Sequence, residues 1–251
     1  MVRYDTEFRH SRPGPASHLN NSMTYRTFHG CPSQSNISSV EDDGYFIDGN
    51  PVRHWCLMAE IAQVKVVNGE VVVLAVAAND EGGERGFITI TDKAKDGSKL
   101  SESKRITEFK EGHTIVVLYP FHGRMHDPAY EDPDKTVWKV HVKKHKYFTI
   151  FPVSLDSLYE AQARISGRAR GQSFPCNEPS CSKYTNLQAC SACHTIQYCS
   201  KEHQVADWPK HKEQCKSIQI VGWFHKKNWA KSSPPFEFVQ VSSGVGNPFR
   251  S

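Results

Sequence analysis

Residues 57–77 read LMAEIAQVKVVNGEVVVLAVA, two valine-rich runs separated by Asn68-Gly69. Asn-Gly between such runs is a strong short-range hairpin signal, because both residues tolerate the positive φ of a tight two-residue turn. The first run extends from Leu57 to Val67 and the second from Glu70 to Ala77. The unbroken apolar stretch Val71 to Val76 predicts a strand buried on both sides. Working outward, Gly86 to Thr91, Thr114 to Tyr119, Thr136 to Val142 and Lys146 to Val153 read as further strands. Around the fifth, Trp138, Val140 and Val142 alternate with Lys139, His141 and Lys143, the period of a half-buried strand. Polar inserts, Lys93 to Gly112 and Pro120 to Lys135, interrupt the series. About six strands in residues 51–153 predict a mainly β N-terminal domain, an OB-like small barrel, with a small sandwich as the alternative.

The flanks are of different composition. Residues 1–50 are rich in Ser, Asn, Arg and Gly and predict a mostly disordered segment, with Tyr45-Phe46-Ile47 as a short anchor. Cys31 reads as an incidental thiol there, and Cys56, beside Leu57 and Met58, as a buried small hydrophobe. Residues 154–175 comprise an amphipathic helix over Ser154–Ile165 and a basic linker over Ser166–Gln172. Residues 216–251 form an aromatic-rich tail with Trp223, Phe224, Trp229, Phe236 and Phe238, expected to fold back onto a domain. The chain has 31 Lys and Arg against 27 Asp and Glu, a formal +4. That balance is too small to argue for nucleic acid. A mean hydropathy of −0.57 and no long apolar run exclude a membrane-spanning helix. No apolar core of a secretory signal occurs in Met1–Ser39, so an intracellular setting, nuclear or cytoplasmic, is expected.

Six of the eight cysteines fall between Cys176 and Cys215. With two histidines they make four pairs: Cys176 and Cys181, Cys190 and Cys193, Cys199 and His203, His211 and Cys215. Eight such ligands match two four-coordinate zinc ions. The last two pairs are spaced i, i+4, which places each pair on one helix face. Four protein ligands per ion leave no coordination position for water, so the zinc ions are expected to be structural. The segment holds few apolar residues, so metal binding must supply its folding free energy, of order ~10 kcal/mol per ion.

Residues 190–215 read CSACHTIQYCSKEHQVADWPKHKEQC. The tyrosine before Cys199, the Gln-x-x-Asp-Trp step at Gln204–Trp208 and the His-Lys-x-x-Cys ending at His211–Cys215 resemble a MYND-type zinc finger, most like those of mushroom-forming fungi. The match covers about residues 176–215, a small α-rich finger. The first pair is spaced x4 around Pro179 where the family has x2, and His203 stands where most members have cysteine. The resemblance implies interleaved sites: Cys176, Cys181, Cys199 and His203 on one ion, Cys190, Cys193, His211 and Cys215 on the other. It further implies a protein-interaction module that takes short proline-containing peptides, with Gln204 and Trp208 at the peptide-contacting positions. Spacing i, i+4 on a helix would set that amide and aromatic face side by side.

Other chemistry is less well supported. A RING-type ligase would need a Cys-x-His step and CxxC pairs downstream, and Cys193-His194 is only an echo of it. Nothing resembles the Asn-His-x-Cys of a SET methyltransferase. His122 and His126, on a loop between prolines, read as a polar loop rather than a metal pair. The basic run Lys139, His141, Lys143, Lys144, His145 and Lys146 near Trp138, Tyr147 and Phe148 raises single-stranded DNA or RNA binding by the barrel as the alternative function. Acidic Glu131, Asp132 and Asp134 just upstream favour a solvated strand face instead. The expectation is a non-enzymatic zinc-binding adaptor, acting in transcriptional regulation. Six thiolates and two Zn²⁺ change its formal +4 to +2, which weakens the nucleic-acid alternative further.

Overall fold

The computed structural model describes residue 19 and residues 21–22, 24–33, 45–47, 50–77, 83–91, 99–102, 104–126, 136–166, 175–231 and 235–238. The chain forms two compact units. The first, the β unit, contains Asn20–Leu155 and the residues from Trp229 onward, and the second, the finger unit, contains Asp156–Asn228 with Ser17–Leu19. Residues 167–172 of the expected linker and the acidic Glu131, Asp132 and Asp134 lie outside the described residues.

The β unit is built on the hairpin of β4 (Cys56–Val67) and β5 (Glu70–Ala77). Asn68 and Gly69 both have positive φ, 53° and 83°, as a two-residue hairpin turn demands. β4 also pairs antiparallel with β7 (Thr114–Leu118), and β5 with β6 (Glu84–Ile90). Register on the β5 side shifts between Ile61 and Gln63, a bulge that bends the long strand. β9 (Thr136–Val142) runs parallel to β6, β8 (His122–His126) antiparallel to β9, and β10 (Phe148–Phe151) antiparallel to β7. The main order is β10-β7-β4-β5-β6-β9-β8, and β10 and β8 do not pair, so the sheet is not closed. Off this path, β1 (Tyr25–Arg26) pairs parallel with β4, and β2 (Phe46–Ile47) and β3 (Asn50–Pro51) make a small separate sheet. The unit is thus mainly β.

Burial corrects several expectations. β5 is not enclosed on both sides: Val71, Val73, Ala75 and Ala77 are buried, whereas Val72, Leu74 and Val76 are half-buried. The Pro120–Lys135 insert is not all loop, because the backbone of β9 captures His122–His126 as a strand. The Lys93–Gly112 insert contains short 3-10 turns at Leu100–Glu102 and Lys104–Glu108, which bring Leu100 and Phe109 into the core. Residues 1–18 and 34–44 lie outside the described residues, but 24–33 are ordered into the unit. Phe28 is 0% exposed, and Cys31, also in the core, is no incidental thiol. Gly86 explains how that segment docks: a Cβ there would lie 2.5 Å from the Phe28 ring, so only glycine permits the approach. Tyr45 is buried as well, with its ring 5.3 Å from Trp55.

Two measurements check this architecture. Phe28→Ala should lower the unfolding free energy by about 3–5 kcal/mol, the cost of emptying an aromatic core site, whereas a peripheral segment would tolerate it. His54, 1% exposed, is held by burial at about 4, below the ordinary 6.5. The unfolded chain takes up a proton near 6.5 and the folded chain only near 4, so stability should fall as pH drops across that interval. Urea melts of wild type and His54→Gln should diverge there, by at most ~3 kcal/mol.

Candidate metal centre

The finger unit holds α1 (Leu155–Ile165) from Asp156 on, the two-stranded pair of β11 (Gln188–Ala189) and β12 (Gln197–Tyr198), and α2 (Lys201–Lys226). Ser200 caps α2, its side chain accepting the His203 backbone N–H at 3.4 Å. Cys199 therefore precedes the helix, and the Cys199/His203 pair does not lie on one helix face as the spacing predicts. His211 and Cys215 do share a face of α2. The helix also continues past Cys215 to Lys226, with Ile218, Ile220, Val221 and Phe224 buried, so residues 216–226 are helix and not tail. Gly222 lets Thr195 approach the helix closely, since a Cβ there would fall 2.5 Å from Thr195 Oγ1.

All eight expected ligands gather into two clusters. Cys176, Cys181, Cys199 and His203 form one, Cys190, Cys193, His211 and Cys215 the other, and within each the ligand atoms lie inside 4.8 Å of one another. In the first, His203 Nδ1 is 3.4 Å from Cys176 Sγ and 3.3 Å from Cys199 Sγ, and Cys181 Sγ is 3.7 Å from Cys199 Sγ. In the second, His211 Nε2 is 3.3 Å from Cys190 Sγ and 3.8 Å from Cys193 Sγ, with the Cys190 and Cys215 sulfurs 4.0 Å apart. Tetrahedral zinc with Zn–S near 2.3 Å and Zn–N near 2.05 Å has edges of about 3.8 Å between sulfurs and about 3.5 Å between sulfur and nitrogen. Both clusters fit that polyhedron, and each can hold one zinc ion.

Electrostatics points the same way. Burial opposes ionisation of Cys176 and Cys190, yet hydrogen bonds bring both thiols down, Cys176 to about 7 with help from the Glu178 and Cys199 backbone N–H groups. Burial, aided by the neighbouring thiols, pushes Cys199 up to about 11 and Cys215 to about 12, and burial raises Cys193. Several thiolates cannot share so small a volume without a cation, and a divalent ion removes that penalty. The sites differ in exposure: all four ligands of the second are buried, but only Cys176 is buried in the first.

A second set of contacts, which the sequence does not reveal, stiffens this frame. Asp207 on α2, buried, accepts from Arg164 Nη2, which is shared between its two carboxylate oxygens at 2.9 and 2.7 Å, from Tyr198 Oη at 2.5 Å and from Asn177 Nδ2 at 2.9 Å. Arg164 also donates to Gln214 Oε1 at 2.8 Å, and Gln162 of α1 meets the His225 ring at 2.8 Å. One carboxylate thus ties α1, the first-site loop, β12 and α2 together. The His211 ring lies 6.3 Å from that of Tyr198 and 5.9 Å from that of Trp208. Of the two expected peptide-contacting residues, Gln204 is half-buried and Trp208 is 46% exposed, both in α2.

Residues 176–215 match the family model of the MYND finger. The chain therefore carries a MYND-type zinc finger there. It is 59% identical over 32 residues to SET domain and MYND-type zinc finger protein 6 of Schizosaccharomyces pombe, covering 13% of this chain and 7% of that protein. It is 44% identical over 50 residues to the hypoxia-inducible factor prolyl hydroxylase of Caenorhabditis elegans, 20% of this chain and 7% of that one. The chain thus spans under a tenth of the length of these curated relatives. Among solved structures, the S. pombe Stn1-ten1 complex aligns with a TM-score of 0.26 at 16% identity, covering 55% of this chain and 88% of that one. Among the described residues, no helix is long and apolar enough to cross a membrane.

The difference in exposure makes a prediction. Purified protein should hold about two zinc ions per chain. A competing chromogenic chelator should remove them in two phases, the Cys176 site first, and Cys181→Ser should leave about one ion per chain. Loss of both ions in a single step would contradict separate sites.

Proposed function

We propose that the protein is a non-enzymatic adaptor whose finger binds short proline-containing segments of partner proteins, in the setting of transcriptional regulation. One observation carries the reading: Trp208, 46% exposed, and Val205, 62% exposed, stand i, i+3 on α2 beside the buried second zinc cluster. A tryptophan that only packed the zinc core would be covered, whereas this one keeps a broad apolar face in solvent, held on a rigid base. Pro209 adds to the site: lacking an N–H, it cannot bond the Val205 carbonyl, which leaves an acceptor beside the exposed ring. Gln204, one turn before Trp208, supplies an amide for the peptide backbone. Each zinc cluster already offers four protein ligands, which supports a structural role for the metal and no catalytic one. Six ligand thiols call for a reducing compartment, in keeping with an intracellular role, nuclear or cytoplasmic.

The β unit we read as OB-like. Supporting this, β9 and β10 follow one another in sequence with only residues 143–147 between them, yet β10 ends the path β10-β7-β4-β5-β6-β9-β8 and β9 lies one strand from its other end. The short connection thereby links one end of the path to the strand next to the other end, as in a partly open barrel. A nucleic-acid ligand is less well supported, because the aromatics it would stack upon are engaged. Trp138 packs against the core with the Arg124 guanidinium 4.6 Å above its ring, Phe148 is buried, and Tyr147 faces Tyr119 and Lys146.

An array of synthetic proline-containing peptides tests the adaptor reading. Peptides retained by wild type should bind Trp208→Ala at least about tenfold more weakly, a typical aromatic hot-spot loss, with zinc content unchanged. Retention of the same peptides at equal strength by the variant would sink the proposed site.

A further inference from the structure

Outside the finger, one feature of the β unit is built like a ligand clamp. Tyr119, directly after β7, has φ of 54°, a left-handed conformation that is costly for a bulky aromatic residue. Strain of this kind concentrates where a side chain must be aimed. Here it carries the Tyr119 hydroxyl to 2.6 Å from His54 Nδ1 and 2.6 Å from the backbone nitrogen of Phe236. The Phe236 N–H donates to the hydroxyl, which leaves the hydroxyl's own proton available to His54 Nδ1. That needs a neutral imidazole, which burial ensures. The His54 ring in turn lies flat on Phe236, with centroids 3.7 Å apart and planes 20° from parallel.

The segment 235–238 meets further groups of matching chemistry. The Phe238 N–H donates to the Lys146 carbonyl at 2.8 Å, Lys146 Nζ pairs with Glu237 at 2.5 Å, and the Phe238 ring stands edge-on to Phe151. No regular secondary structure includes these four residues. Pro235 and Glu237 are exposed, Phe236 is half-buried and Phe238 is buried, so the segment is a surface stretch anchored by one inward aromatic side chain rather than a strand of the sheet. Each residue from 236 to 238 has its own receptor: a stacking face and an acceptor for the first, a cation for the second, an acceptor and a ring edge for the third.

We infer that His54, Tyr119, Lys146 and Phe151 form a peptide-binding clamp for extended aromatic–acidic–aromatic segments of a partner protein, with Phe236-Glu237-Phe238 as the resident, displaceable occupant. This site lies in the β unit and is independent of the reading of the finger. Its ligand needs two aromatic side chains flanking a carboxylate and two backbone N–H groups. The resident segment, tethered to the rest of the chain, competes at an effective concentration of order millimolar and keeps the clamp filled until a partner outcompetes it.

The test uses the full zinc-loaded chain and a fluorescein-labelled peptide with the sequence of residues 232–240, SSPPFEFVQ. Fluorescence polarisation should show Phe236→Ala combined with Glu237→Lys binding the peptide at least about tenfold more tightly than wild type. Tyr119→Phe added to that pair should weaken binding by roughly threefold to tenfold through loss of the N–H acceptor. Glu237→Lys alone, a change at an exposed position, should raise binding several-fold over wild type. The inference fails if the double variant binds no better than wild type. It also fails if that variant loses its cooperative unfolding transition, since the segment would then be part of the core, or if Glu237→Lys leaves binding at the wild-type level.

Discussion

Thiolates crowded to within 4 Å repel one another, and the finger brings two such groups together in forty residues. The course of the finger loop follows from satisfying that repulsion with a divalent ion. The loop from Cys176 to Tyr198 contains only two-residue strands and few buried side chains, and cannot hold its course by apolar burial. Metal coordination fixes it, and α2 can then present Trp208 and Val205 as fixed, solvent-facing groups. An exposed tryptophan on a frayed helix would lose much of its binding energy to ordering, whereas one on a cross-linked base does not.

Coordination alone does not orient the frame. Asp207 gathers three donors, from Arg164, Tyr198 and Asn177, and the geometry makes it a junction rather than a contact for ligand. The carboxylate is desolvated, and the guanidinium nitrogen shared by its two oxygens, with two further donors, satisfies it, the condition under which a buried ion pair is tolerated. Within the Gln-x-x-Asp-Trp step, three neighbouring positions thus divide the labour: Gln204 and Trp208 face outward to differing degrees, and Asp207 turns inward. α1 is thereby part of the finger unit through Arg164 and Gln162, and not a spacer.

What the sequence discloses depends on how local the cause is. Asn68-Gly69 is legible because its turn needs only its own φ preferences, and the cysteine pairs are legible because tetrahedral coordination demands soft ligands at short spacings. β8 is illegible because His122-Gly123-Arg124-Met125-His126 has no apolar alternation and becomes a strand only by pairing with β9. The place of Phe28 depends on an absent Cβ at Gly86, 58 positions away, and no local pattern encodes that. The ion pair of Arg164 with Asp207 is hidden for a similar reason, since charges are common and their partners are chosen by the fold. The strain at Tyr119 is a property of φ, which a tyrosine in sequence does not advertise.

The β unit is discontinuous in the chain, and that has a consequence for the order of its assembly. Asp156–Asn228, 73 residues by their numbering, emerge between Leu155 and Trp229 during synthesis. At about 5–20 residues per second the ribosome spends roughly 4–15 s on them. For that interval the β sheet exists without Trp229, whose carbonyl accepts the His54 backbone N–H, and without Phe236 over the His54 ring. The nascent unit thus passes through a stage with an open aromatic surface, which closes only after the finger's ligands have been synthesised.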